Sequence, residues 1–187
     1  MTPEPDPDPA SASAPEHAAG PHAYDGPGAY DGPHAYDGPH AYDDLTSVRV
    51  DQFLPHPPAK VWRALTEPEL IAQWLMPCDF RLEVGHRYTM TTAPRPNTGF
   101  SGTTAAEVLA FEPGRMLAVR WQDASGTNRA DWTITWTLAP EGRGTRLFLV
   151  HEGFDPDDDL QMMARKIMGG GWRTHIMDAL VRVAGQL

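Results

Sequence analysis

The first 44 residues contain no leucine, isoleucine, valine, phenylalanine or tryptophan, and no lysine or arginine. A segment with nothing apolar to bury cannot offset the backbone entropy lost on ordering, about 1–2 kcal/mol per residue. Residues 1–44 are therefore predicted to be a disordered tail, and any function that rests on a fold belongs to 45–187. Cysteine is nearly absent as well: Cys78 is alone, which excludes a disulfide framework and a thiolate metal site of the usual spacing. No apolar run approaches the roughly 20 residues of a membrane span. The opening Met-Thr-Pro-Glu-Pro-Asp lacks the basic and apolar regions of a signal peptide. A cytoplasmic protein with no membrane partner is expected.

Charge divides at the same point. The tail carries nine acids (Glu4, Asp6, Asp8, Glu16, Asp25, Asp31, Asp37, Asp43 and Asp44) and no lysine or arginine. The body keeps the remaining 16 of the chain's 25 acids against all 15 basic residues, so the formal net charge of −10 lies almost wholly in the tail. A nearly neutral body excludes nucleic acid as the main partner, because neutralising phosphates takes clustered lysine or arginine.

What the tail does have is a fourfold hexapeptide of the form Gly-Pro-His-Ala-Tyr-Asp, with glycine at 20, 26, 32 and 38 and tyrosine at 24, 30, 36 and 42. Asp-Gly-Pro is turn chemistry, and six residues without an aliphatic side chain bury nothing. His22, His34 and His40 are the right donors for Zn²⁺ or Ni²⁺. Ordering a Gly/Pro chain around a metal lowers affinity, so a solvated spacer with no metal is expected.

The body alternates from its start. Residues 45–54 read as a strand, with Val48 and Val50 set against Arg49 and Asp51. Pro55, Pro57 and Pro58 end it and open a short helix carrying Val61, Trp62 and Leu65. Thr66 and Glu69 have capping-box spacing ahead of a second short helix with Leu70, Ile71, Trp74 and Leu75. Strands are then predicted at Phe80-Leu82-Val84, at His86-Tyr88-Met90, near 103–111 and at Leu117-Val119-Trp121. Another, 131–138, puts Trp132, Ile134, Trp136 and Leu138 on one face and three threonines on the other. Residues 145–151 return as its hairpin partner. Residues 155–187 form a closing helix whose start carries Asp155, Asp157, Asp158 and Asp159, suited to the orphan N–H groups there. Its stripe is Leu160, Met163 and Ile167, continued by Trp172, Ile176, Leu180 and Val183 after Gly169-Gly170-Gly171, where a kink, a break or a close approach to the sheet is expected.

This order resembles the activator-of-Hsp90-ATPase-homologue-1-like branch of the START/SRPBCC superfamily. The matching pieces are Pro-Ala-Lys-Val-Trp-Arg-Ala-Leu-Thr-Glu-Pro-Glu-Leu-Ile-Ala-Gln-Trp-Leu (58–75), Leu-Glu-Val-Gly-His-Arg-Tyr (82–88), Gly-Thr-Arg-Leu-Phe-Leu-Val-His-Glu-Gly-Phe (144–154) and Gly-Gly-Trp with the final helix (170–187). The resemblance covers the body and none of the tail; His86 stands where the family commonly has a second glycine. It implies an α+β helix-grip fold: a curved antiparallel sheet of about six to seven strands around a long C-terminal helix, with two short helices after the first strand and a ligand cavity between the sheet and the C-terminal helix. It implies no reaction, since such proteins include ligand binders, cyclase-like proteins and co-chaperone domains.

Chemical motifs are scarce. His151-Glu152 lacks the second histidine of a zinc-protease helix; the aspartates of 155–159 lack the glycine and terminal glutamate of an EF-hand loop; Gly99-Phe100-Ser101-Gly102 is not a nucleophile elbow. No catalytic residue and no cofactor is predicted. What remains is a wall of a cavity or of a solid core, two readings the pattern alone leaves open. The expected ligand-binding residues are Trp74, Tyr88, Met90, Trp121, Trp132, Trp136 and His151, with Met163 and Ile167 from the closing helix. The expected partner is an apolar or aromatic small molecule. A chaperone of the Hsp90 type is the alternative that the family name suggests, and a cyclase- or hydrolase-like enzyme using His151 or Tyr88 is a third.

Overall fold

A computed structural model describes residues 44–125 and 129–187. The expectations about the tail, including the His22, His34 and His40 metal site, fall outside these residues. The described elements are β1 (Ser47–Leu54), α1 (Pro58–Thr66), α2 (Pro68–Trp74), β2 (Arg87–Thr91), a 3-10 turn (Pro96–Thr98), β3 (Thr103–Glu112), β4 (Met116–Asp123), β5 (Asp131–Glu141), β6 (Gly144–Glu152), α3 (Asp159–Arg173) and α4 (His175–Gly185). The fold is α+β, with six strands in one antiparallel sheet in the order β1-β6-β5-β4-β3-β2, consistent with a helix grip. No helix among the described residues is long and apolar enough to cross a membrane.

The sheet's inner face follows from the period-2 pattern. Every second residue of β4, β5 and β6 is buried, and antiparallel register places like with like: Trp121 opposite Trp132, Leu117 opposite Trp136, Ile134 opposite His151 and Trp136 opposite Leu149. Leu147, Leu149 and His151 all point inward, while Arg146 points out and pairs with Asp51 of the neighbouring β1. Fully burying side chains of this size contributes roughly 1.5–3 kcal/mol each, so one-residue slips that turn this face to water are strongly disfavoured.

Three local expectations are corrected. Residues 80–84 form no strand. Phe80 alone is buried, Val84 is 60% exposed, and regular bonding to β3 starts only where Gly85 N meets Val108 O. Alternation without ladder hydrogen bonds to a neighbouring strand does not make a strand. The Thr66–Glu69 box does not form either: the Thr66 hydroxyl donates back to the Trp62 carbonyl inside α1, and Glu67 takes the N-cap position before Pro68 with no side-chain cap. The helix-start acids behave as read, with Asp158 as N-cap accepting from Leu160 N and Gln161 N.

The third correction concerns the closing helix. Of the alternatives expected at the glycines, the close approach to the sheet is present, while the break falls three residues later at Thr174, where φ is −129° and ψ −111°; what is overturned is the face the helix buries. Gly169 is there for proximity: a Cβ would sit 3.3 Å from Val48 Cγ2 of β1. That approach sets the helix's rotation, so the buried face is Gln161, Ala164, Gly169 and Trp172. Leu160, Met163 and Ile167 are turned outward instead.

Candidate functional site

The cavity, about 20 Å³, lies between the sheet and α1–α2 and not under the C-terminal helix as expected, because no side chain of α3 or α4 lines it. Leu117, Val119, Trp121 and Trp136 form its sheet wall, Tyr88 and Met90 its β2 side, and Leu65, Ile71, Trp74, Leu75 and Phe80 its helical side. That volume admits about one water molecule, so the interior is nearly filled by its own side chains. Trp74 is fixed by its indole N–H donating to the Ala64 carbonyl at 2.8 Å, which staples α2 to α1. Phe80 meets Tyr88 edge-on at 5.3 Å. Burial pushes the Tyr88 phenol well above its ordinary pKa, so this hydroxyl stays protonated.

The segment between α2 and β2 closes that wall and guards an edge. Cys78 bridges Met90 on the side of β2 that faces away from β3. The Asp79 carboxylate accepts from Thr89 N at 3.1 Å. Burial, followed by the charge of Asp79, raises the Cys78 thiol pKa, the opposite of what a nucleophilic cysteine needs.

Behind the cavity sits a second aromatic group around His151. Trp172 Nε1 donates to His151 Nδ1 at 3.1 Å. An indole nitrogen is donor only, so Nδ1 carries no proton and the neutral ring must carry it on Nε2. Nε2 is buried and has no hydrogen-bond partner among the described residues. Trp132 and Phe154 pack on the imidazole at ring distances of 5.3 Å and 4.7 Å, with Trp121 at 6.3 Å. Burial lowers the His151 pKa to about 3. The Trp132 indole donates to Gln161 Oε1, which also accepts from Asp155 N, each at 3.1 Å. Trp136 Nε1–H and Thr104 Oγ1 are likewise buried without a partner among the described residues.

Of the residues singled out in the sequence, Trp74, Tyr88, Met90, Trp121 and Trp136 surround one cavity. Trp132 and His151 form the layer behind it. Met163 and Ile167 leave the site altogether, at 47% and 40% exposed. In their place α3 contributes Trp172 and Gln161. Trp172 carried a visible signal, being on the apolar stripe; a buried glutamine has no sequence signature of its own. Phe80 was misread as one residue of a strand face.

Elsewhere, an open depression of about 380 Å³ is lined by Gln122, Asp123, Ser125, Arg129 and Asp131 among others. Burial works against the Asp123 charge, but hydrogen bonds from the Ser101 and Ser125 hydroxyls outweigh it and keep the carboxyl below its usual range. Among the described residues no group of three His, Cys, Asp or Glu side chains could hold a metal ion.

Comparison with known proteins bears on this arrangement. The sequence profile described as "Activator of Hsp90 ATPase homolog 1-like protein" matches residues 55–185. No curated protein matches the chain. Among solved structures, protein MLL2253 from Mesorhizobium loti is 34% identical, the match covering 75% of this chain and 97% of that one with a TM-score of 0.63. The solution structure of CalU16 from Micromonospora echinospora is 25% identical over 74% of this chain and 65% of its own, with a TM-score of 0.57. DynU16, from the dynemicin biosynthetic locus, has 23% identity and a TM-score of 0.59 over 73% of this chain; the match spans 46% of DynU16.

Proposed function

Because the chain belongs to the activator of Hsp90 ATPase homolog 1-like family, a membership that sets its fold and leaves its chemistry to the interior side chains, we propose that it binds a small apolar or aromatic molecule between sheet and helices without transforming it. The observation that carries this reading is Trp136, which lines the cavity while its indole N–H is buried without an acceptor. An unpaired buried donor costs about 1–3 kcal/mol. A ligand oxygen beside it recovers that cost, and the surrounding rings supply the apolar surface.

Binding takes place by displacement of a wall. The sheet is fixed on that side by continuous hydrogen bonding, whereas α2 and residues 75–80 are held by side-chain packing against α1, α4 and the core and by a few hydrogen bonds: the Trp74–Ala64 bond, the Cys78–Met90 bridge and the Asp79 contacts. These give way to admit the ligand. Catalysis has no support from His151, whose Nδ1 is occupied by Trp172 and whose ring stays neutral at physiological pH.

Titration of the full chain with 1-naphthol, followed by tryptophan fluorescence and thermal unfolding, tests the proposal. Saturable quenching and a higher melting temperature are expected; a ligand at 100 times its Kd stabilises by about 2.7 kcal/mol. Absence of saturation together with an unmoved melting temperature, for 1-naphthol and for a fatty acid alike, overturns it.

A further inference from the structure

Among the described residues, one face of α3 is turned outward and left uncovered. Leu160, Met163 and Ile167 are spaced i, i+3, i+7 and are 41%, 47% and 40% exposed, while α3 touches α4, β1 and the 3-10 turn through its other sides. Single exposed hydrophobic residues need no explanation, but three in register on one helix form a stripe. Gly170 continues the stripe, and a Cβ there would meet nothing within 4 Å, so another backbone can come close.

The charges beside the stripe point to its occupant. Asp159 and Lys166 are exposed, lie on the same flank seven residues apart, and form no ion pair among the described residues. Seven residues is about 10.5 Å along a helix, too far for pairing within it. The acid stands at the N-terminal end of the stripe and the base towards the C-terminal end, so the pattern complements itself when reversed. That is the requirement of a two-fold contact, in which each patch meets its own copy.

We propose that α3 pairs antiparallel with α3 of a second copy of this chain, Leu160 against the partner's Ile167 and Lys166 against the partner's Asp159. The two-fold axis passes beside Met163, whose side chain meets its equivalent there. Both ion pairs then lie on one side of the seam, and the opposed helix dipoles add to the fit. A single 15-residue helix gives a contact below the roughly 1,200 Å² of stable complexes, so the dimer is weak and concentration-dependent.

Sedimentation equilibrium of the full chain over about 1 μM to 1 mM tests this. A monomer–dimer equilibrium is expected. Met163→Glu weakens it at least about tenfold with the thermal unfolding curve unchanged. Lys166→Glu weakens it too, and the double variant Asp159→Lys/Lys166→Glu restores it, because the swapped charges pair again across the two-fold. A monomer at every concentration overturns the proposal, and so does a dimer indifferent to Met163→Glu. A double swap no tighter than Lys166→Glu alone overturns the antiparallel register.

Discussion

Trp172 and His151 are joined by one hydrogen bond, indole Nε1–H to imidazole Nδ1 at 3.1 Å, with the rings at 80° to each other. This contact couples the end of α3 to β6 and decides which histidine nitrogen carries the proton. The second nitrogen, buried without a partner, leaves the site no means of stabilising a positive charge.

Stability should therefore fall as the solution becomes mildly acidic. The folded His151 has a pKa of about 3, against about 6.5 in an unfolded chain. Above pH 6.5 both forms are neutral and the residue contributes no pH dependence. Below it the unfolded chain takes up a proton that the native protein refuses, so stability drops towards a limiting slope of about 1.4 kcal/mol per pH unit. Urea unfolding at pH 7, 6 and 5 measures this. His151→Phe removes the slope in that interval while lowering stability at pH 7 by about 1–3 kcal/mol, because the Trp172 N–H loses its acceptor. A wild-type stability that is level from pH 6.5 to 5 refutes the argument.

Trp136→Phe removes a donor that bonds to nothing in the closed protein. Lost packing and relieved desolvation oppose each other, and the net change in stability is expected within about 1 kcal/mol. Selectivity is the sharper readout. The preference for 1-naphthol over naphthalene should fall about two- to tenfold, the worth of one neutral hydrogen bond. Competition titrations read it directly; an unaltered preference removes Trp136 from the binding role.

Trp74→Phe breaks the bond from α2 to the Ala64 carbonyl and is expected to cost about 1–3 kcal/mol. It also loosens the wall through which ligand passes, so association in stopped-flow fluorescence should accelerate. An association rate no faster than wild type argues that α2 is not the route.

Two of the glycines of α3, Gly169 and Gly170, should respond differently to alanine. At Gly170 the added methyl meets open space in regular helix, and stabilisation of about 0.5–1 kcal/mol is expected. At Gly169 it meets Val48 at 3.3 Å and the Arg173 guanidinium at 3.2 Å, so the same replacement forfeits that gain. Melting temperatures of the two variants decide, and equal shifts contradict the packing role given to Gly169.

The sheet was readable because its signal is redundant. Trp132, Ile134, Trp136 and Leu138 alternate cleanly, and both neighbouring strands repeat the pattern. The helix order and the five residues around the cavity followed from the same kind of periodicity. The rotation of α3 did not, because two apolar stripes compete on it. The one bearing bulky Met163 and Ile167 loses to the one whose small Ala164 and Gly169 let the helix lie against Val48, a demand imposed by the sheet and absent from the helix's own residues. Residues 80–84 alternate like a strand, yet pair with none. Cavity size was never legible, since identical side chains can enclose a ligand or fill the space themselves.

The bridge from Cys78 to Met90 has a cost attached. The same short stretch that shuts the cavity also covers the outer rim of β2, and unprotected strand rims invite sticking between molecules. On the proposed route of entry, swinging it aside would uncover that rim, so the empty, opened protein is expected to be the aggregation-prone form, and a guest that lets the segment close again is expected to protect the molecule from its own neighbours.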